Sequence, residues 1–175
     1  MAIIFEETAY IDARRRLVED GEGKEDREKG EGGEGNGSPI LRRVQWQKPI
    51  KTAKDLLVAV HSLAMQSPDG KAMVAFGGEE KPFDLMSVEF QNDRLEFQFA
   101  EAPEWRPMMA AHFVGGAVQE LKDKCDDMDD EKLDAVGYSL NFAGSPAEVD
   151  KIVMDVVRFP DDPTVYYFIN IGTKA

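Results

Sequence analysis

The chain is short of the residue types that most enzymes use for chemistry. Among its 175 residues there is one cysteine, Cys125, and there are two histidines, His61 and His112. A single cysteine forms no internal disulfide, which points to a reducing compartment. One thiol and two distant histidines lack the spacing of a zinc site, and no metal or cofactor is expected. Nucleophilic catalysis would need Cys125 or a serine beside a base. Cys125 follows Lys124 and precedes Asp126 and Asp127 at the end of an expected helix. A helix C-terminus and neighbouring acids both raise a thiol's pKa, the wrong direction for a nucleophile. The histidines, each inside an expected helix, have no identifiable partner for a catalytic or switching role.

Long apolar runs are also missing. The longest fall well short of the ~18 residues a membrane span requires, so no membrane partner is expected. The opening MAIIFEETAY has acids at positions 6 and 7 and does not read as a secretory leader. The expected location is the cytoplasm.

Positive charge is scarce. Lys and Arg total 21 against 34 Asp and Glu, a net charge of −13. Nucleic-acid affinity rests mainly on neutralising phosphates with Lys and Arg, so direct nucleic-acid binding is not expected. The same field attracts a basic protein surface and speeds that encounter. The glycine-rich GEGGEGNG (30–37) has no GK[ST], no preceding strand and several acids that repel phosphate. AFGGEEKP (75–82) fails similarly, because two glutamates follow its glycines. DDMDDE (126–131) is the one stretch with a claim on calcium, but counting an EF-hand loop from Asp127 puts Lys132 at the sixth position and Tyr138 at the twelfth. Glycine and glutamate belong there. A hydrolytic carboxylate pair would have to come from the 34 acids, and nothing in the sequence selects one.

What the chain does have is a sharp compositional boundary. EDGEGKEDREKGEGGEGNGS (19–38) holds seven of the 15 glycines, no apolar side chain, and eight acids against three bases. That is −5 of the total −13, so the remainder carries −8 and is acidic in its own right. Such a segment is expected to be a disordered linker, either a tolerated insertion or a tether that lets residues 1–18 dock on a partner or a neighbouring subunit. The domain reading is therefore an N-terminal strand and helix segment (1–18), the acidic linker (19–38) and one α+β domain (39–175).

Periodicity supplies the elements. AIIF (2–5) reads as a strand, and 6–20 as a helix with its arginines Arg14, Arg15 and Arg16 late, which suits the helix dipole. PILRRVQWQ (39–47) reads as a strand. Within 51–70, Leu56, Leu57, Val60, Leu63 and Ala64 form one stripe, Thr52 and Asp55 fit a capping box, and Ser67–Gly70 stops the helix. KAMVAF (71–76) is a strand and GGEEKP (77–82) a turn. A hairpin is expected over 83–99, where Leu95, Phe97 and Phe99 alternate with polar residues and QNDR turns the chain. A second helix is expected over 104–125, with Pro107 in its first turn and with Gly115 and Gly116 marking a close crossing by another backbone. A charged turn (126–135), with a helical turn starting at Asp129 or Asp130, leads to a strand over 136–142. A third helix is expected over 145–159, capped by Ser145 and Glu148, with a strand over 151–158 as the alternative, because β-branched residues disfavour helix. TVYYFINIG (164–172) is a strand. The fold class is α+β: a mixed or antiparallel sheet against about three helices.

One feature favours interaction. APEWRPMM (102–109) gathers Trp105, Arg106, Met108 and Met109, residue types suited to binding hot spots and irregular partners. Asp126, Asp127, Asp129 and Asp130 lie at the far end of the same expected helix and are candidates for an acidic rim. The function expected is a non-catalytic, acidic protein-binding factor (an inhibitor, immunity-type or accessory protein, in one version mimicking nucleic acid) engaging a basic partner. An assembly subunit and a carboxylate-pair hydrolase are the alternatives.

Overall fold

The structure, a computed structural model, describes residues 8–17, 40–76 and 82–174. The expected strand at 2–5, the linker 19–38 and most of the turn at 77–82 lie outside these residues.

The strongest helical stripe forms a helix as expected. Helix α2 (Ala53–Ala64) starts on a complete capping box: Thr52 Oγ1 accepts from Asp55 N, and the Asp55 carboxylate accepts from Thr52 N at 3.0 Å. Those backbone bonds to Lys51 and Thr52 hold the Asp55 carboxyl below its ordinary range against the opposing effect of burial. All five stripe residues are buried, and a 3-10 turn at Pro68–Gly70 ends the segment. The first arginine-rich helix, α1, occupies 8–17.

The strands form two sheets. One has the order β1-β8-β9-β2-β5 and the other β3-β4-β6-β7. In the first, β1 (Ile40–Gln45), β8 (Val149–Val157) and β9 (Tyr166–Thr173) run antiparallel, β2 (Met73–Phe76) joins β9 in parallel, and β5 (Met108–Met109) closes the edge. In the second, β3 (Phe83–Gln91) and β4 (Arg94–Glu101) make the expected hairpin. Asn92 and Asp93 turn it with φ of 57° and 61°, the left-handed pair that a two-residue hairpin requires. Strand β6 (Gly137–Phe142) pairs in parallel with β4, and β7 (Ser145–Ala147) is the far edge. Among the described residues this is an α+β fold of four helices and nine strands.

Both sheets turn an apolar face to one core that also takes α2 and α3 (Ala110–Lys124). Phe76 of the first sheet lies 4.6 Å from Phe99 of the second, and Phe113 of α3 lies 5.4 Å from both Phe76 and Phe97. The outer face of the five-stranded sheet carries a second cluster, in which Met73, Ala75, Phe168 and Tyr166 lie beneath Tyr10 and Ala13 of α1. The period-2 alternation of β2, β8 and β9 assigns neighbouring residues to opposite clusters.

Three sequence expectations need correction. The helix expected at 145–159 is instead two strands, β7 and β8, and β8 corresponds to the alternative strand at 151–158. Its i, i+3, i+4 stripe arose because Ile152–Val157 is buried on every residue, and a run with both faces covered has no period to read. Strand β8 is central, with the shared core on one side and the outer-face cluster on the other, and its valines favour extended backbone. Ser145 and Pro146 lie in the short edge strand β7 instead of capping a helix, and Pro146 is tolerated at an edge. The helix expected from 104 starts only at Ala110, whose N–H is held by Ala72 O at 2.9 Å. Met108 and Met109 before it pair with β2, so Pro107 lies ahead of a strand and not in a first helical turn. Among the described residues Gly115 and Gly116 have open space where a side chain would project, and no backbone crosses there.

Candidate functional site

Helices α2 and α3 pack side by side over the core, and each has apolar residues beyond those the core consumes. On α2, Leu57 and Val58 are followed one turn later by His61; on α3, Val114, Val118 and Leu121 continue the same flank. The short helix α4 (Asp130–Asp134) closes one end. It forms because Asp129 caps it, accepting from Lys132 N at 2.9 Å, and it contributes Leu133 alongside Met128. Together these surfaces enclose an apolar groove of about 780 Å³, a size typical of ligand-binding clefts. Val58 is 43% exposed on its wall.

Charge surrounds this apolar floor unevenly. Lys54 and Asp134 meet at 3.0 Å across the α2–α4 end, both more than half exposed. Asp126 and Lys122 lie on the rim. Residues 120–134 hold eight acids against three lysines, a net −5, so the α3–α4 end is the acidic one. Glu120 is engaged there: its carboxylate accepts from Phe90 N at 2.9 Å and from Lys124, which holds it below the usual carboxylate range.

Cys125 lines the groove from beneath and is buried. Burial pushes its thiol up, and Glu120 and Asp93 push it further. The direction matches the sequence expectation, but the leading cause is desolvation and not the adjacent aspartates. His61 lines the same groove and is exposed. Among the described residues no hydrogen bond joins it to Cys125, and no three His, Cys, Asp or Glu side chains converge as a metal site would require.

The residues singled out from sequence go to two separate places. Asp126 rims the groove, Asp127 is exposed beside it, and Asp129 and Asp130 begin α4. Trp105, Arg106, Met108 and Met109 lie at the other end of α3, whose 15 residues span ~22 Å at 1.5 Å each. They do not form one patch. Trp105 is 8% exposed, in the cluster under α1. Met108 packs against the shared core and Met109 against the outer cluster, and Arg106 is exposed with its Nε 3.9 Å from Asp84. The groove residues Val58, Val118 and Leu133 were not singled out from sequence. For Val118 a signal was present in the apolar residues spread around α3 (Phe113, Val114, Val118 and Leu121), whereas Val58 and Leu133 belong to α2 and α4.

Comparison of the chain with protein-family models, with curated proteins and with solved structures finds no match to any of them.

Proposed function

We propose that the protein is a non-catalytic binding factor that seats an amphipathic helix with basic flanks, from a partner protein, in the groove between α2, α3 and α4. The observation that carries this reading is the coincidence of an apolar floor with the acidic end of the fold. A helix laid in a groove is a recurrent recognition mode, read by apolar anchors at i, i+3, i+4 and i+7. Here Leu57, Val58, Val118, Leu121, Met128 and Leu133 would meet such anchors, and Asp126 and Asp134, which line the groove at the acidic α3–α4 end, would face the basic flanks.

Magnitudes assign the roles. Covering a valine or leucine side chain fully contributes about 1.5–3 kcal/mol, whereas an exposed ion pair contributes about 0–1 kcal/mol. The apolar floor therefore carries most of the affinity, and the acids add a smaller, salt-sensitive share and set the encounter rate and the orientation. The chain's −13 charge also argues for a protein partner over direct contact with nucleic acid. Among the described residues no helix is long and apolar enough to cross a membrane.

The test is a pull-down from native lysate at low salt with the wild type, Val58→Arg and Met86→Arg. Met86 is 65% exposed on the four-stranded sheet, away from the groove, and serves as the control. A basic protein kept by Met86→Arg and lost by Val58→Arg supports the reading. Equal capture by all three removes the groove from it.

A further inference from the structure

The arginines of α1 are placed one by one. Arg14, buried, donates to Asn170 Oδ1 at 3.2 Å and lies over the rings of Trp105 and Phe168 at 5.8 and 5.9 Å. Arg15 reaches Glu104 at 3.1 Å. Arg16 lies 4.1 Å over the Phe159 ring and 2.9 Å from Asp161. Tyr10 anchors the first turn: its hydroxyl donates to Lys71 O and accepts from Tyr167 N, and its ring meets Tyr166 and Phe168 edge-on. On the face beneath, Asn170 donates to Asp155, which is itself held by Arg43 at 2.7 Å. The outer sheet face is thus an apolar floor with a polar and acidic border, filled by a helix carrying +2 over residues 8–17.

Three observations favour an exchangeable occupant. A ten-residue helix is too short to persist alone in water, so α1 exists only while docked. Among the described residues the Trp105 indole N–H, buried in the same cluster, has no hydrogen-bond partner, and an unmade buried bond weakens the fit of whatever covers it. The connection is also longer than the crossing needs. Arg16 touches Phe159, while Ile40, where β1 begins, pairs with Val157 two residues away. Residues 18–39 provide 22 residues for that step, ~75 Å of extended chain.

We infer that the outer face of the β8-β9-β2 sheet is a receptor for an arginine-bearing amphipathic helix of a partner protein, and that α1 is its occupant in cis. The partner would present an aromatic, a small residue and an arginine at the spacing of Tyr10, Ala13 and Arg14, with an acceptor for the Trp105 N–H. A second copy of this chain is disfavoured, because a tethered helix faces its own site at an effective concentration on the order of millimolar. A foreign helix that satisfies the indole N–H can exceed that. This surface is separate from the groove, and either assignment can fail alone.

The test uses a synthetic peptide of residues 6–18 added to the full chain, as wild type and as Tyr10→Ala/Arg14→Ala, which vacates the face. The readouts are peptide helicity and tryptophan fluorescence. The vacated variant should bind the peptide at least tenfold more tightly than the wild type, where cis α1 competes. Equal binding by both forms, or binding by neither, overturns the inference. Should the double variant lose its cooperative melt, hydrogen exchange of the wild type decides: amides of 8–17 should exchange at least tenfold faster than those of β8 and β9, and equal protection overturns the inference. A wild-type chain that dimerises with exchanged α1 overturns the partner assignment in favour of a second copy.

Discussion

At the scale of single residues, the structure explains some side chains that sequence could only count. Tyr166 donates to Asp162 Oδ2 at 2.6 Å from inside the outer cluster. Burial first, and then the Asp162 acceptor, push its phenol up to about 12, while the same bond leads the lowering of the Asp162 carboxyl. The folded state thus favours a protonated tyrosine and an ionised aspartate. The tyrosine's contribution is complete below pH 10, its ordinary pKa, and is lost as pH rises through about 12. The aspartate's contribution holds above 3.8 and is lost as pH falls through its lowered folded value. Melting temperature followed from pH 8 to 12 should therefore fall less steeply for Tyr166→Phe than for the wild type; parallel slopes would contradict the assignment. Neither residue was legible beforehand, because they are four apart around a proline turn and only the fold shows the hydroxyl aimed back.

At the scale of elements, what the sequence revealed depended on whether an element has one buried face or two. Helix α2 and the β3–β4 hairpin each keep one face wet, and their stripe and alternation located them correctly. Strand β8 is covered on both faces, and its apolar run matched a helical template as well as an extended one. The start of α3 was misplaced because Pro107 suits a first helical turn in general, whereas here β2 offers Met108 and Met109 a strand pairing first. The groove was only partly legible, since its walls come from three elements whose packing angles no local pattern encodes. The glycine pair in α3 shows the same limit. Small residues suggested a close crossing, yet both glycines face open space on the exposed side of the helix. Gly115→Ala and Gly116→Ala should each stabilise the fold, by up to ~1 kcal/mol of helix propensity. Denaturant midpoints would show it, and a loss of stability in either variant would mean a neighbour occupies that space.

At the scale of the whole molecule, the acidity recognised from composition resolves into places. Part lies in residues 19–38, part at the α3–α4 end beside the apolar groove, and part around the arginines of α1. The chain already holds one basic helix against its own outer face, and the groove offers a second apolar floor with acids at its edge. The central claim is that this groove receives a basic amphipathic helix. The most direct test is amide chemical-shift mapping of the full chain titrated with a leucine- and lysine-patterned helical peptide at low and high salt. Shifts centred on Val58, Val118, Leu121 and Leu133, weakening as salt rises, are the predicted result. Shifts confined to other surfaces, or an affinity indifferent to salt, would contradict it.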